Sequence, residues 1–357
     1  MAEDSQSRVS VIIPARNEEA NIARAVRSVA SQQGVREVVV VDDESGDRTG
    51  EILESLRGEI PALRVIRIDA LPVGWTGKSH AAAVGAREAS GEWLLFTDAD
   101  TEHRPGSLEA LLERAVSERA DLLSVSPGQR VVAWWEKAVI PLVYVHLSRL
   151  YRFEDVSDPK SPAAAANGQY LLIRREVYER MGGHEAVRGE ILEDVALARR
   201  VKAAGGKLVF LPGAEWVETR MYSSFAAMWQ GWTKNLYLLF EGKLGRMFGT
   251  LAELILIDAA LPLAFFALCG VMVWGHGNAA VALAAVGLFL AALWREWNYG
   301  AALGRLGFEA RLSNYLIPGA GLFGILLVNS ALAHCWKRSV RWKGREYPQA
   351  PARKDGK

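Results

Sequence analysis

The chain has 357 residues, of which 50% are hydrophobic, and its 42 Lys and Arg almost balance 41 Asp and Glu. This hydrophobic content excludes a disordered or fibrous protein. The net charge of +1 argues against nucleic acid as a partner, because nucleic-acid binders carry a basic excess. Two cysteines, Cys269 and Cys335, are too few for a disulfide framework or a cysteine zinc site.

Short apolar strands alternate with helical patterns between residues 9 and 250. The predicted strands are Val9–Ile13, Val38–Val41, Leu63–Ile68, Trp93–Thr97, Leu122–Val125 and Leu208–Leu211. The predicted helices are Glu18–Gln32, Asp47–Arg57, Lys78–Ala89, Gly106–Arg119, Arg175–Met181 and Glu193–Ala204. This alternation predicts an α/β domain, in which helices flank a mostly parallel sheet and ligands bind at the carboxyl ends of the strands.

Polar residues follow three of the predicted strands. The segment Pro14–Glu18 follows the first strand, Asp42 and Asp43 follow the second, and Asp98 and Asp100 follow the fourth. Because the carboxyl ends of parallel strands share one edge, we expect these groups to converge there. Two carboxylates with this spacing suit Mg²⁺ or Mn²⁺, which would hold a diphosphate, although turns and helix caps also favour Asp.

Two further segments carry candidate chemistry. The glycine-containing loop that ends in Gly77-Lys78 at a helix start is either an anion site or an ordinary turn with a solvated lysine. Its spacing is not that of a P-loop. Glu193-Asp194 opens another predicted helix, so Asp194 is either a helix cap or a general base for an attacking hydroxyl.

An aromatic-rich stretch, Val132–Tyr151, carries few charges and fits either a helix at the membrane interface or a helix of the protein core. Farther along, Ala259–Trp294 and Leu312–Trp336 contain no Asp, Glu, Lys or Arg. The first of these runs is long enough for two membrane crossings around a turn at Gly275–Asn278, and the second is long enough for one. We therefore predict membrane helices at about 251–274, 278–297 and 313–336.

These patterns predict a cytoplasmic domain over residues 1–245, a membrane region over 246–336 and a basic tail over 337–357. The beginning of the chain lacks a signal-peptide pattern, so the large N-terminal part is expected in the cytoplasm. The tail carries eight Lys and Arg and two acidic residues, which favours the cytoplasmic side. Three full crossings would place it outside, unless Pro318–Gly321 lets the last segment re-enter.

The motifs together resemble those of a known family. Val11–Glu19, Asp42-Asp43, Gly77-Lys78, Asp98-Ala99-Asp100 and Glu193-Asp194 occur in the order and spacing of an inverting family 2 glycosyltransferase with a GT-A fold, over about residues 8–240. The membrane segments and the Pro-Val-Gly-Trp-Thr-Gly-Lys loop are similar to those of bacterial lipid glycosyltransferases from hopanoid and carotenoid pathways.

The resemblance implies a nucleotide-sugar donor, a membrane-lipid acceptor and metal dependence. The implied donor-binding residues are Pro14, Ala15, Glu18, Asp42, Asp43, Lys78 and Asp98. It also implies that Asp98 and Asp100 hold Mg²⁺ or Mn²⁺ and that Asp194 is the catalytic base. The expected location is the bacterial inner membrane, with several crossings and no obligatory protein partner.

Membrane-bound relatives also carry a QxxRW motif, to which Gln230–Lys234 corresponds here. Gln230 is retained, but Thr233-Lys234 replaces the Arg-Trp of the motif, which favours transfer of a single sugar over polymer synthesis. Trp232 and Lys234 are implied to line the donor site. The alternatives are a processive polysaccharide synthase and an inactive, nucleotide-binding membrane scaffold.

Overall fold

A computed structural model describes residues 8–337 and 339–348. Its strands are β1 (Val9–Ala15), β2 (Val35–Asp43), β3 (Leu63–Ile68), β4 (Trp93–Phe96), β5 (Thr101–His103), β6 (Leu122–Gln129), β7 (Leu171–Arg174), β8 (Leu208–Thr219), β9 (Ser339–Trp342) and β10 (Arg345–Pro348). Its α-helices are α1 (Ile22–Ala30), α2 (Thr49–Glu59), α3 (Gly77–Glu88), α4 (Ser107–Ser117), α5 (Trp134–Leu150), α6 (Phe153–Ser157), α7 (Arg175–Arg180), α8 (Glu193–Ala203), α9 (Phe225–Leu239), α10 (Leu244–Glu253), α11 (Leu261–Val273), α12 (Ala279–Arg305) and α13 (Leu316–Leu332).

The described chain forms two compact units. The first unit comprises the residues up to Arg130 together with Tyr151–Met221. The second unit comprises Val131–Leu150 and the residues from Tyr222 onward. The helix predicted at Val132–Tyr151 is observed as α5 and belongs to the second unit, although its neighbours in sequence on both sides belong to the first.

The first unit is built on a mixed eight-stranded sheet with the order β3-β2-β1-β4-β7-β6-β8-β5. The strands β3, β2, β1 and β4 are parallel to one another, as the sequence predicts. Between β4 and β6 lies β7, which is antiparallel to both, and β5 is antiparallel to β8. The prediction included neither β5 nor β7, and these two strands are what make the sheet mixed.

Helices cover both faces of this sheet, which explains why β2 is apolar at consecutive positions. Val38 and Val40 join the cluster that includes Ile22 of α1 and Leu53 of α2. The alternate residues Val39 and Val41 pack on the other face, against Ala81 of α3. Because both faces are buried, the strand cannot show the apolar–polar alternation of a half-exposed sheet.

The second unit contains the apolar C-terminal helices. Among the described residues, three helices are long and apolar enough to cross a membrane: Leu244–Val273, Ala279–Arg305 and Ala310–Lys337. The first runs through α10, a π-helical stretch and α11, and the second is α12. In the π-helical stretch, Asp258 is buried and accepts two hydrogen bonds from Arg295 of α12, at 2.6 and 3.0 Å.

The third helix packs closely inside the second unit. Its α13 segment contacts α5 and α9, and Ser330 of α13 is fully buried. The Ser330 hydroxyl donates to the Thr233 carbonyl at 2.7 Å and accepts from the Tyr237 N–H at 2.9 Å. The hydroxyl therefore lies between a carbonyl and an N–H that are four residues apart in α9. This is the spacing at which an α-helix forms its backbone hydrogen bonds.

The basic tail contains an antiparallel hairpin formed by β9 and β10. The Trp342 ring lies edge-on to Tyr222, with ring centroids 6.4 Å apart, and the Lys234 ammonium lies 5.0 Å from the Trp342 ring centroid. The hairpin therefore packs against α9 and against Tyr222, the residue at which the chain returns to the second unit.

Candidate active site

The segment after β1 forms a tight turn that is bonded to the segment after β2. Asn17 has a positive φ of 52°, and its side-chain oxygen accepts from the Gly46 N–H at 2.8 Å. The N–H of Asn17 donates to Ser45 Oγ at 2.9 Å, and the N–H of Glu18 donates to Thr49 Oγ1 at 2.8 Å. Asn tolerates this backbone conformation, so the sequence suits the turn.

The predicted nucleotide-binding residues lie along this turn and the strands before it. Ala15 is paired with Asp42 across β1 and β2, and Pro14 precedes it on β1. Asp42 and Asp43 are buried, with Asp42 Oδ1 accepting from the Ser45 N–H at 3.1 Å. Glu18 is half-buried. The structure therefore brings Pro14, Ala15, Glu18, Asp42 and Asp43 to one edge of the sheet.

Lys78 contacts the two other predicted motifs, Asp98-Ala99-Asp100 and Glu193-Asp194. Its Nζ lies 2.7 Å from Asp98 Oδ1 and 3.0 Å from Glu193 Oε1. Burial opposes the charge on Lys78, but the carboxylates of Asp98, Glu193 and Asp194 raise its pKa well above the ordinary value. Lys78 is therefore an ion-paired group of the site and not the solvated lysine of an ordinary turn.

Asp194 lies in the first turn of α8, whose N-cap is Leu192, so Asp194 is not the helix cap. Its Oδ2 accepts from the Gly168 N–H at 2.8 Å and its Oδ1 accepts from the Val195 N–H at 2.7 Å, which fixes the carboxylate. Burial, and then the charge of Glu193, raise the pKa of Asp194 to about 6. A carboxylate with this pKa suits proton transfer near neutral pH.

The close contact between these charges depends on Gly168. A Cβ at this position would lie 2.6 Å from Lys78 Nζ, 3.4 Å from Asp194 Oδ2 and 3.5 Å from Glu193 Oε1. A side chain here would therefore displace the lysine from the carboxylates. Lys78, Gly168 and Asp194 line one pocket together with Pro14 and His184.

Asp98 and Asp100 lie in the turn between β4 and β5, and both are half-buried. Among the described residues, no group of three or more His, Cys, Asp or Glu is arranged to hold a metal ion. Two carboxylates nevertheless fit Mg²⁺ or Mn²⁺ if phosphate oxygens and water complete the coordination, which is how Mg²⁺ is usually held in proteins. Asp98 and Asp100 are the residues that would hold the ion.

The last two predicted donor-site residues, Trp232 and Lys234, lie on α9 in the second unit. Trp232 is buried, with ring centroids 6.4 Å from Tyr144 and 6.1 Å from Tyr222. Lys234 contacts Trp342, as described above. Within their own unit both side chains take part in packing, and their role toward a donor stays a prediction.

Gly168, Glu193 and His184 are among the pocket residues that sequence reasoning did not assign. Glu193 had a signal in the sequence, because it lies beside Asp194 in the Glu193-Asp194 motif, but it was given no role of its own. Gly168 and His184 had none, because each acts through residues far away in sequence: Gly168 through Lys78 and Asp194, and His184 through Phe96, whose ring centroid lies 4.6 Å from that of His184.

Comparison with known proteins finds similar glycosyltransferases. The family model described as Glycosyl transferase family 2 matches residues 10–182. The 4,4'-diaponeurosporenoate glycosyltransferase of Staphylococcus haemolyticus is 30% identical over 246 residues, which are 66% of this chain and 62% of that enzyme. The enzyme of the same name from Staphylococcus aureus strain MRSA252 is 27% identical over an alignment of 359 positions, which covers 95% of this chain and 88% of that enzyme.

A solved structure shares the fold. The mannosyltransferase of Pyrobaculum calidifontis, in complex with GDP-Man and Mn²⁺, is similar with a TM-score of 0.53 at 20% identity, over 93% of this chain and 88% of that one. The mixed sheet flanked by helices is therefore a GT-A-like fold. Residues 10–182 form a glycosyltransferase family 2 domain.

Proposed function

We propose that the protein transfers a single sugar from a nucleotide-sugar donor to a membrane lipid of the carotenoid type, with inversion at the anomeric carbon. The observation that carries this proposal is the pocket in which Asp194, held by two backbone N–H groups, lies beside the ion-paired Lys78. The names of the relatives support the acceptor class.

In the proposed reaction an acceptor oxygen attacks the anomeric carbon. The bond from that carbon to the diphosphate oxygen breaks, and its electron pair leaves with the nucleoside diphosphate. When the acceptor is a hydroxyl, Asp194 takes its proton. The Lys78 ammonium moves from Asp98 and Glu193 toward the diphosphate, where it stabilises the negative charge that develops. A divalent cation bound at Asp98 and Asp100 would neutralise the same charge.

The three apolar helices support placement in the bacterial inner membrane, with the catalytic domain on the cytoplasmic side. Nucleotide sugars are charged and would reach the site from water, whereas a carotenoid-type lipid would reach it from the bilayer. The exposed apolar surface of α11 and α12, including Leu263, Phe266, Leu283 and Leu290, supports their contact with lipid.

The test is release of nucleoside diphosphate by the full-length protein in detergent, with UDP-glucose or GDP-mannose as donor and 4,4'-diaponeurosporenoate or a bacterial lipid extract as acceptor. We expect release that depends on the lipid, disappears in excess EDTA and returns with Mn²⁺ or Mg²⁺. Lipid-dependent release at an unchanged rate in EDTA would disprove the metal dependence. Absence of lipid-dependent release with every donor and acceptor would contradict the function.

A further inference from the structure

His184 is a pocket residue to which the proposed reaction gives no role. It is 3% exposed and lines the pocket with Lys78 and Asp194. Its ring packs edge-on against Phe96, with ring centroids 4.6 Å apart, and its Nδ1 lies 2.9 Å from the Tyr178 hydroxyl. Gly183 permits this approach, since its φ is +50° and a Cβ there would lie 2.5 Å from the Tyr178 ring.

These contacts favour one position for the proton on the His184 ring. The backbone N–H of His184 already donates to the Tyr178 hydroxyl oxygen at 3.1 Å. The hydroxyl proton is then free to be donated to Nδ1, and burial raises the pKa of Tyr178 to about 12, so this proton is retained. With Nδ1 acting as acceptor, the proton of a neutral imidazole lies on Nε2.

The imidazole is neutral under physiological conditions. Burial, and then the positive charge of Lys78, lower the pKa of His184 to about 3. Among the described residues, Nε2 has no hydrogen-bond partner, whereas Nδ1 has Tyr178. The pocket wall therefore offers a neutral N–H donor that no described protein group accepts and that is available to a ligand.

We propose that the Nε2–H of His184 donates a hydrogen bond to a hydroxyl oxygen of the donor sugar and so helps to determine which sugar is accepted. This inference rests on the proposed function. In the proposed displacement the sugar lies between the leaving diphosphate, toward Lys78, and the attacking acceptor, toward Asp194. His184 lines the same pocket as both residues, beside the position proposed for the sugar.

The experiment compares the bare nucleotide with the sugar-bearing nucleotide. Calorimetry on the full-length protein in detergent with Mn²⁺ would measure the affinities for UDP, UDP-glucose, GDP and GDP-mannose. We expect His184→Phe to weaken the preferred nucleotide sugar by about 3- to 10-fold, the usual range for one hydrogen bond, and to leave its nucleoside diphosphate unchanged. His184→Gln, which keeps an N–H donor, should recover part of the loss.

Tyr178→Phe is the matched control, because it leaves His184 in place but removes the hydroxyl that fixes its proton. We expect a smaller weakening, again confined to the sugar-bearing nucleotide. If His184→Phe does not fold, the His184→Gln and Tyr178→Phe measurements decide the question. Equal effects on nucleotide and nucleotide sugar, or no effect on either, would overturn the proposal. A wild-type protein that binds none of the four ligands would overturn the proposed function as well.

Discussion

At the scale of single residues, Asp194 offers the most direct test of the chemistry. Asp194→Asn keeps the shape of the side chain and its bond from Gly168 or Val195, but the amide cannot accept a proton. With a hydroxyl acceptor we expect the transfer rate to fall by about 10²–10⁴, the usual contribution of a general base. Calorimetry should show nearly unchanged donor affinity, because Asp194 is not part of the predicted nucleotide contacts.

The same variant distinguishes two kinds of acceptor. A hydroxyl has to lose a proton as it attacks, whereas a carboxylate such as the one in the name of the relatives' acceptor enters already ionised. Transfer to a carboxylate by Asp194→Asn within about threefold of the wild-type rate, a difference of about 0.65 kcal/mol in the barrier, would show that no base is needed for that acceptor.

The raised pKa of Asp194 predicts a pH dependence. The base is active when ionised, so with a hydroxyl acceptor kcat/KM should fall about tenfold per pH unit below a pH of about 6. Because the charge of Glu193 helps to raise this pKa, Glu193→Gln should move the acidic limb to lower pH. Glu54→Gln, which changes an exposed carboxylate on α2, is the control and should leave the profile in place. An unmoved limb in Glu193→Gln would contradict the assignment.

At the scale of the elements, the sequence predicts those parts whose pattern is local. All six predicted strands are observed, because each is a short segment rich in apolar residues, and β3 matches residue for residue. β7 was missed because Leu171–Arg174 is short and directly precedes α7 without a turn residue between them. Its place between β4 and β6 follows from pairing over long sequence distances, which no local pattern reports.

In the site, too, the residues in local motifs could be predicted, and those that depend on packing between distant segments could not. Asp98, Lys78 and Asp194 could be identified from motifs, and the structure brings Lys78 into contact with Asp98 and near Asp194. The fit of Gly168 among these charges depends on how four separate segments pack, so the sequence held no local signal for it. The assignment of α5 to the second unit likewise follows from contacts with α13, which comes far later in the chain.

The β9–β10 hairpin predicts the side of the membrane on which the tail lies. Trp342 packs on Tyr222, which directly follows the last residue of the first unit. We therefore expect the hairpin on the same side of the membrane as Tyr222, and the turn before α12 on the opposite side. In a background without Cys269 and Cys335, an impermeant thiol reagent added to intact cells should label His276→Cys.

The same reagent should label Glu346→Cys, on the hairpin, only after the cells are permeabilised. Both positions are exposed, so a failure to react would reflect their location and not burial. Labelling of Glu346→Cys in intact cells would contradict this topology.

At the scale of the whole molecule, the two units cannot be separated by one cut. Ending the chain at residue 245 keeps α5 and α9 but removes α13, which packs on both. Thr233 and Tyr237 of α9 would lose their bonds with Ser330, and the apolar surface beneath would be exposed. We expect fragment 1–245 to aggregate without detergent, as judged by size-exclusion chromatography. The full chain in detergent is the control, and a monodisperse detergent-free fragment would contradict the prediction.

The helix α5 belongs to the second unit, and its synthesis precedes that of its partner α13. Residue 150 is translated before the start of α13 at Leu316, and at about 5–20 residues per second the delay is on the order of 10–30 s. During this interval an apolar helix exists without the partner that later covers it. Early association with a bilayer would shield α5 from aggregation during this interval.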